Sequence, residues 1–196
     1  MFIELTDILR CPSDHEEGVL VLLPDGVHDR QVRSGHLGCM DCGRVFPIED
    51  GVAVFGETMV TVSPSARLTG PAMAAFLGLG GPGGYVVLVG GAGGDSAGFA
   101  EASEGVHILA LNPPPGVGAA RSLSVARAAG IPVKRRHLRG VVLGPGFAED
   151  PAWLAAAVRS LLPGQRVVGE GETPAAGELE VLASADGVWV ARVRTA

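Results

Sequence analysis

At 196 residues the chain has room for one medium domain, or for a small module and a compact domain. With 47% hydrophobic and 18% charged residues it is not a disordered chain, and no apolar run reaches the roughly 20 residues that span a bilayer. Its net charge of −6 is unevenly shared: residues 1–60 carry 4 basic and 11 acidic residues, the remainder 11 and 10, so the N-terminal part is a poor grip for a phosphate backbone.

The start, MFIELTDILR, lacks the charged leader and apolar core of a secretory signal, which sets the cytoplasm as the expected compartment. The first part, residues 1–58, reads as short strands over Val19–Leu23, Arg44–Ile48 and Val52–Phe55. Turn residues separate them at Pro24-Asp25-Gly26, Asp41-Cys42-Gly43 and Glu49-Asp50-Gly51. A module this small needs a metal or a partner surface to stay folded. A linker over Gly56–Ser65 follows, and the second part runs over residues 66–196.

The second part opens with a predicted helix over Pro71–Leu77, with Thr69 near its start and the glycines of Gly78–Gly84 ending it. Tyr85–Val89 is a continuous apolar run, hence a buried parallel strand. Ser96–Ser103 reads as a short helix and His107–Leu111 as a second strand. The alanine-rich stretch Ala119–Ala129 reads as helical, Ile131–Lys134 as a third strand and Arg139–Leu143 as a fourth. Pro151–Leu162 is the best-marked helix. Asp150 is its N-cap, Pro151 its first residue, and Leu154, Ala157, Val158 and Leu161 form one apolar stripe. A fifth strand, Arg166–Gly169, and a hairpin of Leu179–Ala183 with Gly187–Val193 complete the chain. The alternation predicts an α/β fold: a Rossmann-like, mostly parallel sheet with a terminal antiparallel hairpin, preceded by a small β-rich module.

Three cysteines are present, two of them as Cys39-x-x-Cys42. In a reducing compartment that spacing points to a metal knuckle or a redox pair rather than a structural disulfide. Together with Cys11-Pro12 and the turn Pro47-Ile48-Glu49-Asp50-Gly51, the pattern resembles the zinc-ribbon family that activates methyltransferases of tRNA, rRNA and translation release factors. The resemblance covers about residues 4–56. The family's first knuckle has the form C-P-x-C. Here Asp14 stands at its second cysteine and His15 follows. The ligand set implied for zinc is therefore Cys11, His15, Cys39 and Cys42, with Asp14 as the other candidate for the fourth place. In that family the ribbon adds to the sheet of a partner methyltransferase.

The run Gly90-Gly91-Ala92-Gly93-Gly94 lies between a strand and a helix, where a glycine turn lets a nucleotide cofactor approach the backbone. With the preceding helix, the Leu161–Val168 stretch and the terminal hairpin, residues 68–195 resemble a class I S-adenosylmethionine-dependent methyltransferase. The resemblance implies cofactor contacts at Gly90, Ala92, Gly94 and Asn112. It also exposes departures. Leu88 stands where the family has an acid, Ala92 replaces the middle glycine, and Asn112 replaces the carboxylate that holds the ribose hydroxyls. No base, nucleophile or acceptor-site motif follows the fourth strand, so no catalytic residue is assigned. The expectation is a degenerate, non-catalytic methyltransferase-like chain that acts as a structural or regulatory subunit through contacts with another protein, with an active enzyme carrying its activator in cis as the alternative. Zinc and S-adenosylmethionine are the cofactors implied. The basic cluster Lys134, Arg135, Arg136, His137 and Arg139 has three readings: a solvated loop, a nucleic-acid contact, or a contact with the acidic module in cis.

Overall fold

The computed structural model describes residues 1–15, 17–56, 65–175 and 177–194. Most of the predicted linker, residues 57–64, lies outside the described residues. The strands are β1 (Leu20–Pro24), β2 (Val27–His28), β3 (Gln31–Val32), β4 (Gly35–Cys39), β5 (Val45–Glu49), β6 (Val52–Phe55), β7 (Tyr85–Val89), β8 (His107–Leu111), β9 (Leu123–Ala128), β10 (Leu138–Leu143), β11 (Leu161–Glu170), β12 (Leu179–Ala185) and β13 (Val188–Val193). The helices are α1 (Gly70–Leu77), α2 (Ser96–Ala102) and α3 (Pro151–Ser160). Among the described residues no helix is long and apolar enough to cross a membrane.

One eleven-stranded sheet runs through both parts, in the order β1-β4-β5-β6-β9-β8-β7-β10-β11-β13-β12. The ribbon strands are antiparallel up to β6. There the sheet changes character, because β6 pairs in parallel with β9, Val52 to Phe55 matching Val125 to Ala128. β9, β8, β7, β10 and β11 continue in parallel, and β13 and β12 close the sheet antiparallel. From β7 the chain winds outward to β8 and β9 on one side and to β10 and β11 on the other. The topological switch point therefore lies between β7 and β10, where doubly wound sheets open a crevice for ligands. Two hairpins use the same turn chemistry: Asp50-Gly51 and Asp186-Gly187 all have positive φ, as a two-residue turn with matched twist requires.

Two expectations from the sequence are corrected. Ala119–Ala129 is not a helix: its centre is β9, flanked by β8 and β6 and buried along almost its whole length. Alanine-rich propensity is a weak prior, and a slot between two strands overrides it. Ile131–Lys134 is not the third strand; it supplies only an isolated bridge, Leu9 to Val133. Consequently the connections before β9 (residues 112–122) and after it (residues 129–137) both lack a helix.

Something else must cover the sheet where those helices are missing. On one face α1 and α2 place Met73, Leu77 and Phe99 in a core with Val86, Leu88, Ile108, Val142 and Val168. On the other face α3 contributes Trp153 and Ala157, and the remaining cover comes from the ribbon. A 310 helix over Ile3–Asp7 and the residues after it bring Leu5, Ile8 and Leu9 into one core with Val87, Leu109, Ala126 and Val133. Leu5 and Leu9 are fully buried, each contributing on the order of 2 kcal/mol. Polar bonds fix this seam. Tyr85 Oη donates to Glu4 O (3.2 Å), Phe2 N to Ser124 Oγ (3.0 Å), Arg10 N to Pro132 O (3.0 Å) and Lys134 N to Ile8 O (2.9 Å).

His107 lies in the seam, stacked on Phe2 at 4.1 Å and edge-on to Tyr85 at 5.6 Å. Burial pushes its pKa down from 6.5 to about 4. Between those values the unfolded chain holds a proton that the folded chain does not. Stability is therefore full above pH 6.5 and drains as the pH falls toward 4. A full shift of this size would be worth about 3 kcal/mol; with the ring partly screened by solvent, a loss on the order of 2 kcal/mol is expected. Urea titrations from pH 7 to pH 4 should show the slope, and His107→Gln should flatten it. An unchanged slope in that variant would assign the acid lability elsewhere.

Candidate metal centre and the glycine turn

The ribbon's two knuckles are brought together by ordinary turn geometry. Cys11 follows the bridge that ties Leu9 to Val133 and is buried. A tight turn, His15 N to Ser13 O (2.9 Å), swings His15 back toward it. Cys39 ends β4. The turn after it is closed by Gly43 N to Cys39 O (3.0 Å) and Cys39 N to Arg44 O (2.8 Å), with Gly43 at positive φ, and this puts Cys42 beside Cys39.

The donor atoms of Cys11, His15, Cys39 and Cys42 all lie within 4.8 Å of one another, a set that could hold a metal ion. A tetrahedral ion with metal–sulfur bonds of about 2.3 Å and a metal–nitrogen bond of about 2.0 Å needs sulfurs about 3.8 Å apart and sulfur and nitrogen about 3.5 Å apart. Cys11 Sγ and Cys42 Sγ are 3.8 Å apart, and Cys39 Sγ and His15 Nε2 are 3.5 Å apart. The residues present therefore fit the group. Asp14 is exposed and is not part of the set. The Cys42 thiol is pulled down from 9.0 to about 6, chiefly by the backbone N–H of Arg44 and further by His15, Cys39 and Cys11, so it is poised as a thiolate ligand.

This knuckle is bolted to the second part. Arg10 Nε donates to Cys11 O (3.0 Å), and its Nη2 reaches Ser13 O and His15 O at 3.4 Å. Glu17 accepts from Arg135 N (2.9 Å) and from Arg159 Nη1 (3.1 Å), and Lys134 Nζ donates to Asp7 O (2.8 Å). Of the basic cluster, Lys134 through its side chain and Arg135 through its backbone N–H take part in these contacts with the module, while Arg136 and His137 are exposed. Arg139 has a different task, which its sequence context did not signal. Its guanidinium donates to the carbonyls of Gly80, Gly81, Pro82 and Gly83, holding the glycine-rich loop between α1 and β7.

The glycine turn forms a 310 helix, Gly90–Asp95, at the carboxyl end of β7. Gly90, Gly91, Ala92 and Gly93 are buried by the chain's own residues, and Gly94 is exposed. On one side stands Pro113, itself buried: a Cβ at Gly93 would sit 2.9 Å from it, and one at Gly94 would sit 3.6 Å from Pro114. On the other side the loop after β10 closes in. Gly144 N donates to Val89 O (3.1 Å), and a Cβ at Gly144 would stand 2.8 Å from Val89 O and 3.0 Å from Ala92 N. Asn112, at positive φ, directs its carboxamide to the end of β9: Nδ2 donates to Ala128 O (2.7 Å) and Oδ1 accepts from Ala128 N (3.0 Å). The four sequence-predicted cofactor positions lie along the carboxyl ends of β7 and β8. Of the four, Gly90 and Ala92 are buried, Gly94 is exposed, and Asn112 bonds to the backbone of Ala128, a use that no sequence motif announced.

Residues 3–51 match the family model described as Trm112p-like protein. A comparison with curated proteins finds no match. Among solved structures, the chain is similar to the antibiotic-resistance methyltransferase Kmr (TM-score 0.44, 13% identity, covering 69% of this chain and 97% of that one). It is similar to an S-adenosylmethionine-dependent methyltransferase from Mesorhizobium loti (TM-score 0.39, 21% identity, 61% and 62%). It is also similar to phosphoethanolamine N-methyltransferase 2 from Haemonchus contortus (TM-score 0.43, 14% identity, 59% and 32%). The chain thus spans less than two thirds of the length of the latter two. The residues that match the Trm112p-like model are thus followed by a Rossmann-like, mostly parallel sheet.

Proposed function

We propose that this fusion of a ribbon with a methyltransferase-type sheet is non-catalytic and serves as a structural or regulatory subunit through protein contacts. The observation that supports the reading is the close packing at the carboxyl ends of β7, β8 and β10. Pro113 and Gly144 pack against the glycine turn from two sides, and both polar groups of Asn112 are spent on Ala128. A carboxylate at that place would offer charge-assisted acceptors to a ribose; this uncharged amide already has its Nδ2 and Oδ1 each bonded once to the backbone of Ala128. The ribbon's role in this reading is cover. With zinc held by Cys11, His15, Cys39 and Cys42, the ion would lock the knuckles as a closed structural site, and the ribbon would seal the face that the missing helices leave open.

The pairing of β6 with β9 favours a second reading, an active methyltransferase whose activator strand is supplied in cis. Incubation with methyl-labelled S-adenosylmethionine and total cellular RNA or protein separates the two. No label above the protein-free control is expected. Label transferred by the full-length chain, and lost in Gly94→Leu, would establish the second reading.

A further inference from the structure

The β6–β9 pairing consumes one edge of the ribbon and leaves the other, β1, as a free edge of the whole sheet. β1 is unusual for an edge. Val19, Val21 and Leu23, in and just before it, are 59%, 38% and 60% exposed, and the strand carries no lysine or arginine to discourage pairing. The apolar surface continues across the same face. Val21 is in register with Gly38 and through it with the exposed Val45, and Leu23 lies opposite His36, which is opposite Pro47. A carboxylate stands at each end of β1: that of Asp41 lies against Gly18, just before the strand, and exposed Asp25 follows Pro24, with Arg33 and His28 lining the same hollow as Asp25.

We propose that β1 is a docking edge for an extended segment of another protein, apolar at alternate positions and flanked by lysine or arginine. Main-chain hydrogen bonds would add it as a twelfth strand, and its alternate side chains would lie beside Val21 and Leu23. Charge complementarity selects the occupant. A second copy would bring two modules of 4 basic and 11 acidic residues edge to edge, a like-charge encounter that costs affinity. A basic-flanked strand meets Asp25 and Asp41 favourably. The inference deepens the reading of this chain as a protein-contact subunit. It concerns β1 alone, so its failure leaves the crevice at β7 and β8 to be judged by cofactor titration.

The test uses the full-length chain and a labelled peptide of alternating valine and threonine with paired lysines at both ends, followed by fluorescence anisotropy. Saturable binding is expected, weakened at least about tenfold by Val21→Lys, by glutamates in place of the peptide's lysines, and by N-methylation of the peptide edge that faces β1. Val21→Thr should bind like the parent and, with Val21→Lys, keep the parent's thermal transition. Absence of binding to the folded chain, or equal binding of the lysine- and glutamate-ended peptides, would overturn the proposal. So would concentration-dependent dimerisation in sedimentation that Val21→Lys abolishes, which would give the edge to a second copy.

Discussion

Cys39→Ser is expected to lose tightly bound metal and to unfold far more of the molecule than the ribbon. The sheet is continuous: β4 and β5 hold β6, and β6 is the outer partner of β9. The ribbon core (Leu37, Phe46, Ile48, Phe55) also belongs to the same apolar cluster as Val87, Leu109 and Ala126. A structural zinc site of three thiolates and one imidazole contributes about 10 kcal/mol or more of apparent binding free energy in small modules, comparable to the whole stability of a domain. Parent protein should carry about one zinc per chain by elemental analysis and show a single calorimetric transition. Chelation, or Cys39→Ser, should lower that transition by more than about 10 °C, and His15→Ala should act in the same direction. A variant that keeps the parent transition without metal would show that packing alone holds the knuckles.

The second large effect concerns Asn112. Were it a cofactor residue, Asn112→Ala would weaken binding and leave stability alone. In this structure the change strands both backbone groups of Ala128 and places alanine at positive φ. Unsatisfied buried polar groups cost about 1–3 kcal/mol each, and the left-handed backbone adds about 1 kcal/mol. A loss of roughly 3–7 kcal/mol in urea unfolding is expected. Asn112→Asp is the sharper case, because it installs the acid that the methyltransferase pattern has at this position. It keeps the bond from Ala128 N but sets a carboxylate oxygen against Ala128 O in place of a donor. It should therefore destabilise as well, without creating a cofactor site. If Asn112→Asp is as stable as the parent, the amide is not the strand-end clasp described above.

Much of this architecture was legible in the sequence. Val52–Phe55, Tyr85–Val89 and His107–Leu111 are strands over the expected residues, because continuous apolar runs between turn residues have few other solutions. Thr69 and Asp150 cap their helices with their own side chains, donors Ala72 N and Ala152 N at 3.4 and 2.8 Å. The cluster of Cys11, His15, Cys39 and Cys42 could be named from the family resemblance, and its donor atoms lie within 4.8 Å of one another. What escaped depends on distant partners. β9 is a strand because β8 and β6 flank it, and β6 comes from the other part of the chain. β11 begins at Leu161 and passes through Pro163-Gly164, tolerated because the register with β10 shifts there. The Ile3–Asp7 helix has no strong local signal, yet it covers the sheet where two connections lack helices.

The central claim is that the glycine turn at the carboxyl ends of β7, β8 and β10 does not take the cofactor that the sequence resemblance implies. Calorimetric titration of the full-length chain with S-adenosylmethionine and S-adenosylhomocysteine tests it most directly, with the thermal transition recorded on the same sample to establish folding. No binding heat up to millimolar ligand is the expected result. Micromolar binding to the folded chain, abolished by Gly94→Leu, would contradict it and make this molecule an enzyme with its activator built in.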